Sequence, residues 1–406
     1  MSLRFYEFFC GSGMAREGLG PQWACKFAND IDAAKARSYA ANFGRDGLKV
    51  GDVAKLTTAD LPYGAEIGPV DLAWGSPPCQ DVSLAGDRAG LDGARSGAFW
   101  PFMDLIRGLR AEGRAPRTVV IENVTGLLTS HGGKDFDAIC GALTDAKYRF
   151  GVVMIDASLF IPQSRERVFI VAVDKITAIP AGIVGTSPTA PFHSTAVVTA
   201  SRRNAQYGPI WWRLPTPPLR NTTFADIIEH APTGVPWHSQ ADTDRLIGMM
   251  TPVHLAKVEA AQRASLTAGK RIVGGYYKRM RDEAGGRVQR VEVRFDDVAG
   301  CLRMASSGGS SIQPIMVVEG GAVRTRRLSS REAARLMGMP DHYKLPANYI
   351  EAYDLMGDGV AVPAVRFLAE HILEPVLRIQ PTTDQSAALL APYTVGRQNV
   401  AKAGLA

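Results

Sequence analysis

Leu3-Arg4-Phe5-Tyr6-Glu7-Phe8-Phe9-Cys10-Gly11-Ser12-Gly13-Met14 begins as a mostly apolar run and breaks into a glycine-rich turn. The run from Leu3 to Phe9 has the composition of a strand buried on both faces, and a helix is expected from about Met14. Glycines suit the turn because a side chain there would keep a ligand away from the backbone, while the helix N-terminus offers free N–H groups. A lone G-x-G is weak evidence, and its strand-turn-helix setting strengthens it. Trp23 to Ala28 reads as a second strand ending in Asn29-Asp30. Asp30 falls near the ~20-residue offset at which an acid takes ribose hydroxyls in nucleotide-binding folds. Asp52, in Val50-Gly51-Asp52-Val53, marks a further strand end. Each aspartate alone reads as a solvated turn residue. Three successive strand ends with suitable chemistry favour a cofactor containing adenosine.

Val70-Asp71-Leu72-Ala73-Trp74 is the next strand, and Gly75-Ser76-Pro77-Pro78-Cys79-Gln80 follows it. Cys79 therefore sits at a strand end, where a loop can present a nucleophile. The tandem prolines fix two φ angles and remove two N–H donors, leaving nearby carbonyls free to accept. Without its surroundings, the same hexapeptide reads equally well as a Pro-rich turn with a buried cysteine. Asp81 to Gly97, rich in Gly, Ser, Asp and Arg, is expected to be a mobile loop that closes over a site. Phe99, Phe102, Met103, Ile106 and Leu109 then recur at helical spacing, as do Phe136, Ile139 and Leu143. Arg117 to Ile121 leads into Glu122-Asn123-Val124, a strand with polar residues at its C-terminal end, and Gly151 to Ile155 is another strand. Gln163-Ser164-Arg165-Glu166-Arg167 opens the strand Val168 to Val173. Arginines two apart on a strand share a face and can converge on one anionic or carbonyl-bearing ligand; a surface ion-pair ladder with Glu166 is the plainer alternative. The alternation of strand and helix from residue 3 to about 174 predicts an α/β doubly wound domain.

The 406 residues allow two or three domains, and 46% apolar content is ample for their cores. Five scattered cysteines without C-x-x-C spacing argue against a disulfide framework or structural zinc, and fit a reducing compartment. No stretch approaches the ~20 apolar residues of a membrane span, and the N-terminus lacks the layout of a signal peptide; a cytoplasmic protein is expected. From about 175 the periodicity fades, and Pro, Gly, Thr and Ser crowd 180–218. Between 271 and 330 eleven basic residues face six acidic ones, an excess of +5 beside Tyr276 and Tyr277. Such a mixture suits a phosphate backbone, although a solvated charged surface looks similar. Ser329-Ser330-Arg331-Glu332 fits a capping box at the head of a helix. Val360 to about Leu377 is the last periodic element, and the chain beyond 378 is expected to be a disordered tail.

In order, Phe8-Phe9-Cys10-Gly11-Ser12-Gly13, Asn29-Asp30, Gly51-Asp52, Pro78-Cys79-Gln80, Glu122-Asn123-Val124, Gln163-x-Arg165-x-Arg167, Arg331-Glu332-x-x-Arg335-Leu336-x-Gly338 and Gly357-x-x-Val360 resemble the motifs of the DNA cytosine-5 methyltransferase family, of bacterial or phage type. The resemblance implies a Rossmann-like methyltransferase domain over 1–174, a smaller target-recognition domain over 175–323, and a return to the catalytic domain over 324–378. It implies S-adenosylmethionine as cofactor, with Phe9 against the adenine, Gly11, Ser12 and Gly13 beside the methionine part, and Asp30 on the ribose. Asp52 and Val53 would lie at the adenine edge, and Ile31 and Val360 nearby. Cys79 would attack C6 of a flipped-out cytosine, helped by Glu122, by Arg167 at the base's O2, and by Arg165 in support. Pro77 would offer its carbonyl to the exocyclic amine, and Ser83 and Arg95 would touch the DNA. Double-stranded DNA is the expected partner, no metal is expected, and one chain acting as a monomer carries every catalytic part. The resemblance leaves open whether a restriction endonuclease accompanies the enzyme. Two departures stand out: Ile31 where the family often has an aromatic ring, and Asp358 where asparagine is usual, its carboxylate expected to face water.

Other readings fit less well. Ser76-Pro77-Pro78 begins like the signature of amino methyltransferases acting at N4, but that chemistry needs an aromatic at the fourth place, where this chain has Cys79. A tRNA-acting branch shares the catalytic motifs, but its Cys-Phe-Thr is absent. A repressor that keeps the fold without turnover has no need of Cys79, Glu122 and the arginine pair together.

Overall fold

Period-two alternation sorts the strands of the large sheet onto two buried faces, which is why they read as continuous apolar runs. Phe5, Leu72, Trp74, Val120 and Val171 point into one layer, and Tyr6, Phe8, Ala73, Val119, Ile121 and Ile170 into the other. The computed structural model describes residues 2–63, 70–78, 96–307 and 312–379. Seven strands build this sheet: β1 (Leu3–Phe8), β2 (Trp23–Asp30), β3 (Leu48–Val50), β4 (Leu72–Gly75), β5 (Thr118–Val124), β6 (Tyr148–Asp156) and β7 (Glu166–Asp174). Their order is β3-β2-β1-β4-β5-β7-β6, parallel except for β7, which runs antiparallel to both neighbours. Helix α1 (Met14–Leu19) covers the first face; α2 (Ala33–Phe43) follows β2; α3 (Phe99–Ala111) and α4 (Lys134–Asp145) cover the second face. The strand order reverses between β1 and β4, and ligands of open α/β sheets bind at the carboxyl ends there. The glycine turn and the Pro77-Pro78 segment leave those two strands.

Glu7 is the cost of a polar residue in β1. It is buried, and its Oε1 accepts from the Arg16 N–H at 3.3 Å. Burial, opposed chiefly by Arg16, pushes its carboxyl up to about 8. Between the ordinary 4.5 and that value the folded chain holds a proton the unfolded chain has released, so rising pH favours unfolding. Urea titrations between pH 5 and 8 should show Glu7→Gln removing a loss of about 1.4 kcal/mol per pH unit from the parent's stability curve.

The irregular middle of the chain, from 175, holds short elements ahead of the small sheet. Strands β8 (Val184–Gly185) and β9 (Trp211–Trp212) pair with each other, followed by α5 (Thr195–Arg203) and α6 (Phe224–Ile227) in the order β8, α5, β9, α6. Phe192, Trp212, Phe224 and Ile227 fill the core of the large sheet, while Val197 and Ala200 fill its opposite layer. These isolated apolar residues have no period, so only packing reveals where they belong.

A separate core runs from Leu246 to Val323. It contains α7 (Gln240–Gly248), α8 (Pro252–Ala268) and an antiparallel sheet of β10 (Ile272–Glu283), β11 (Gly286–Arg294), β12 (Pro314–Glu319) and β13 (Ala322–Arg327), ordered β11-β10-β12-β13. Val273, Ile315 and Val317 face the large-sheet body; Tyr276, Val291, Val293, Met316 and Val318 face the other way, in one core with Leu246 of α7 and Val258 and Ala261 of α8. Arg326 of β13 meets Glu332 of α9 (Ser330–Leu336) at 2.6 Å with both side chains fully buried. Such a pair fixes the seating of the sheet more than it adds stability. The capping box at Ser329 and Glu332 is present. Helix α10 (Tyr349–Asp358) precedes α11 (Val362–Leu368), which continues through a π-turn at Ala369–Leu373 into α12 (Glu374–Arg378). The expected disordered tail lies, from 380 on, outside the described residues.

Candidate active site

The end of β5 carries Glu122 against the start of β7, where Val124 is in register with Arg167. Arg167 Nε lies 3.2 Å from Glu122 Oε1, with side-chain exposures of 16% and 10%. Glu122 also takes a hydrogen bond from Ser76, whose Oγ accepts from the Trp74 indole N–H at 3.0 Å. Burial raises the Glu122 carboxyl above the ordinary range; the guanidiniums of Arg167 and Arg165 oppose this without cancelling it, and Asp358 adds to it. The next residue, Asn123, donates from Nδ2 to the Pro77 carbonyl at 3.3 Å and accepts from the Val124 N–H. β5 thus anchors both Glu122 and, through Asn123, the Pro77 carbonyl. Cys79, Ser83 and Arg95 lie outside the described residues. Ser76 and Asn123 were legible only as members of motifs, since no spacing assigns them a bond.

Arg165 differs from the expectation that both arginines face one ligand. It is 2% exposed, and its guanidinium donates to the carbonyls of Leu302, Gly357 and Gly359 and touches Cys301 Sγ at 3.3 Å. Arg165 precedes β7, so the strand alternation that would align it with Arg167 does not extend to it. It ties three distant segments together behind Arg167. Gly357 is required there: a Cβ on it would come 2.4 Å from the carbonyl carbon of Arg303. Cys301 escaped sequence reading because no motif surrounds it; Arg165 and Arg167 outweigh burial and hold its thiol below the ordinary range.

The expected cofactor residues gather at the carboxyl ends of β1 and β2. Phe9 adopts φ 56 and Gly13 φ 83, and a Cβ on Gly13 would come 2.4 Å from the Phe43 ring. Gly11, at φ 53, has open space where a Cβ would point, as a cradle for a ligand requires. Asp30 is buried, accepting from the Gly11 N–H through Oδ2 and the Asp32 N–H through Oδ1, both at 2.8 Å. Burial raises its carboxyl, with Lys35 the main opposing influence. Beside it Ile31 is 70% exposed, an apolar surface left open. Ser12 is buried, its carbonyl accepting from the Tyr343 hydroxyl. Asp52 caps a 3₁₀ turn through the Ala54 N–H, and Val53 and Val360 are buried. An open glycine turn, a buried acid and an exposed apolar side chain at the sheet's switch point fit a nucleoside with a charged tail. Asp358 does not simply face water: it pairs with Lys35 in the first turn of α2. Among the described residues no group of His, Cys, Asp or Glu could hold a metal, and no helix is long and apolar enough to cross a membrane.

The family model for C-5 cytosine-specific DNA methylase matches residues 3–374. Type II methyltransferase M1.ScrFI of Lactococcus lactis subsp. cremoris is 25% identical over 374 residues, 91% of this chain and 78% of that protein. Type II methyltransferase M.HhaI of Haemophilus parahaemolyticus is 24% identical over 377 residues, 91% of this chain and 94% of that protein. Among solved structures, S. pombe Dnmt2 methyltransferase superposes with a TM-score of 0.55 at 18% identity, over 92% of this chain and 99% of that one. Entamoeba histolytica methyltransferase EhMeth gives 0.58 at 13%, over 92% and 98%. At these identities the structures speak for the fold alone.

Proposed function

We propose a division of labour for this site from one premise: the chain belongs to the C-5 cytosine-specific DNA methylase family and is a DNA cytosine-5 methyltransferase. Carbon 5 of cytosine is a poor nucleophile. The Cys79 thiolate adds to C6, forming a C–S bond and making C5 enamine-like, able to attack an electrophilic methyl. S-adenosylmethionine, held by Phe9, Gly11 to Gly13, Asp30, Ile31, Asp52, Val53 and Val360, supplies that methyl when bound. Protonated Glu122 donates at N3, relieving the charge that develops as the thiolate adds. Arg167 holds O2, and the Pro77 carbonyl accepts from the exocyclic amine. Arg165 acts through Arg167 and the 357–359 backbone as a positioning residue. Loss of the C5 proton to a base then expels Cys79 and restores the ring.

A cytosine inside a duplex hides C5 and C6, so the target base leaves the stack, at a cost of a few kcal/mol. Ser83 and Arg95 touch the DNA and hold the flipped nucleotide. The observation that carries this reading is Glu122, buried with a raised carboxyl and within 3.2 Å of Arg167, while its neighbour Asn123 donates to the Pro77 carbonyl. The small sheet and the chain leading to it serve target recognition. One chain acts as a monomer in the cytoplasm. Expression in a host lacking cytosine methylation, followed by a genome-wide map, should show 5-methylcytosine in one short sequence. Methylation at N4 instead would overturn the mechanism.

A further inference from the structure

The excess positive charge of the 271–330 segment has a definite address once ion pairs are drawn. Arg271 pairs with Glu319, Arg281 with Glu292, Arg287 with Asp282, Arg290 with Glu283, Arg294 with Asp296 and Arg326 with Glu332. Among the described residues this leaves Lys278, Arg279, Arg303, Arg324 and Arg327 without a carboxylate partner. Arg324 lies over the Trp237 ring at 3.9 Å.

Arg279 is the anomalous one. In the β10–β11 ladder it stands directly opposite Arg290, and directly opposed residues point to the same face. Like charges so placed oppose folding. Both neighbouring carboxylates are already engaged, Glu292 by Arg281 and Glu283 by Arg290 through two nitrogens. What Arg279 does have is the Tyr277 ring, 5.3 Å from its guanidinium carbon. An exposed guanidinium resting against a ring keeps its N–H edge available for bidentate contact.

The face it occupies is the one that Val273 presents to the catalytic body; α7 and α8 lie behind the other. Tyr277 donates to Gln313 Oε1 at 3.0 Å, and its hydroxyl lies against Gly300. Cys301 follows at once, in contact with Arg165 behind the Glu122–Arg167 pair. Arg279 therefore shares a sheet face with Tyr277, whose hydroxyl lies against Gly300, the neighbour of Cys301 and so of the Glu122–Arg167 site. Resting on the reading above that duplex DNA enters this site, we infer that Arg279 is a specificity-determining residue that donates to a guanine edge of the recognised sequence, with Tyr277 as its support. A guanine's O6 and N7 accept two parallel N–H bonds in the major groove. A phosphate can also accept two N–H bonds from such a guanidinium, so the two contacts are told apart by sequence discrimination and salt dependence.

The test compares the full-length parent with Arg279→Ala and, as a control on the opposite face, Arg287→Ala. Each is expressed in a host lacking cytosine methylation, with genome-wide mapping of 5-methylcytosine and DNA-binding titrations over a range of salt. Arg279→Ala should keep methylating but lose about tenfold or more of its discrimination at one G·C position of the recognised sequence, while Arg287→Ala keeps the parent's sequence. An unchanged sequence with binding weakened equally on all DNA and a shallower salt dependence would make Arg279 a phosphate contact and overturn the inference. So would no change in either measurement. A parent that methylates no cytosine carbon 5 would instead defeat the reading on which the inference rests.

Discussion

Cys79→Ala should retain no more than about 10⁻⁴ of the parent's methylation while still binding its DNA site, because the reaction has no other way to make C5 nucleophilic. An acid or an arginine can polarise the ring, but neither can saturate the C5–C6 bond. The described site holds a carboxyl, a guanidinium and a carbonyl, all suited to stabilising an added nucleophile and none able to replace it. A substrate with fluorine in place of the C5 hydrogen sharpens the measurement. After methyl transfer it has no proton to lose, so the bond to sulfur persists. The parent should accumulate a covalent protein–DNA adduct on such an oligonucleotide, seen as a mass increase, and Cys79→Ala should form none. Methylation surviving in the variant would sink the addition mechanism.

Glu122→Gln carries the second largest expected effect, a fall in kcat of about 10²–10⁴-fold with a much smaller change in KM for DNA. Glutamine fills the same space and still offers hydrogen bonds to the base, so binding should persist. What it lacks is a proton to share with N3 as negative charge enters the ring. Burial holds the Glu122 carboxyl above its ordinary value against the pull of Arg167 and Arg165. The protonated form therefore survives to higher pH than in an exposed glutamate, and its contribution to the rate is lost as pH rises through the raised value. The residual rate of Glu122→Gln should lack this falling limb. An equal limb in both, measured as kcat against pH, would assign that titration to another group.

The sequence by itself determined the parts whose cause is local. Alternating apolar runs fixed the strands of the large sheet, helical spacing fixed α3 and α4, and the Ser329–Glu332 capping box formed as its residue types require. The order of eight short motifs placed Glu122 and Arg167 at neighbouring strand ends, and the ladder brings them within 3.2 Å. Tertiary structure decided what depends on partners far apart in the chain. Arg165 was expected to share a face with Arg167 and support the site, and the bonds by which it can do so go to carbonyls 137 to 194 residues away. Asp358 finds Lys35 across 323 residues. Phe192, Trp212 and Phe224 join the catalytic core although their surroundings have no period. Arg279 was one positive charge among eleven until the register set it against Arg290. Spacing along a chain reports which face a residue shares with its near neighbours; which acceptor, carboxylate or core it meets is settled only when distant segments pack.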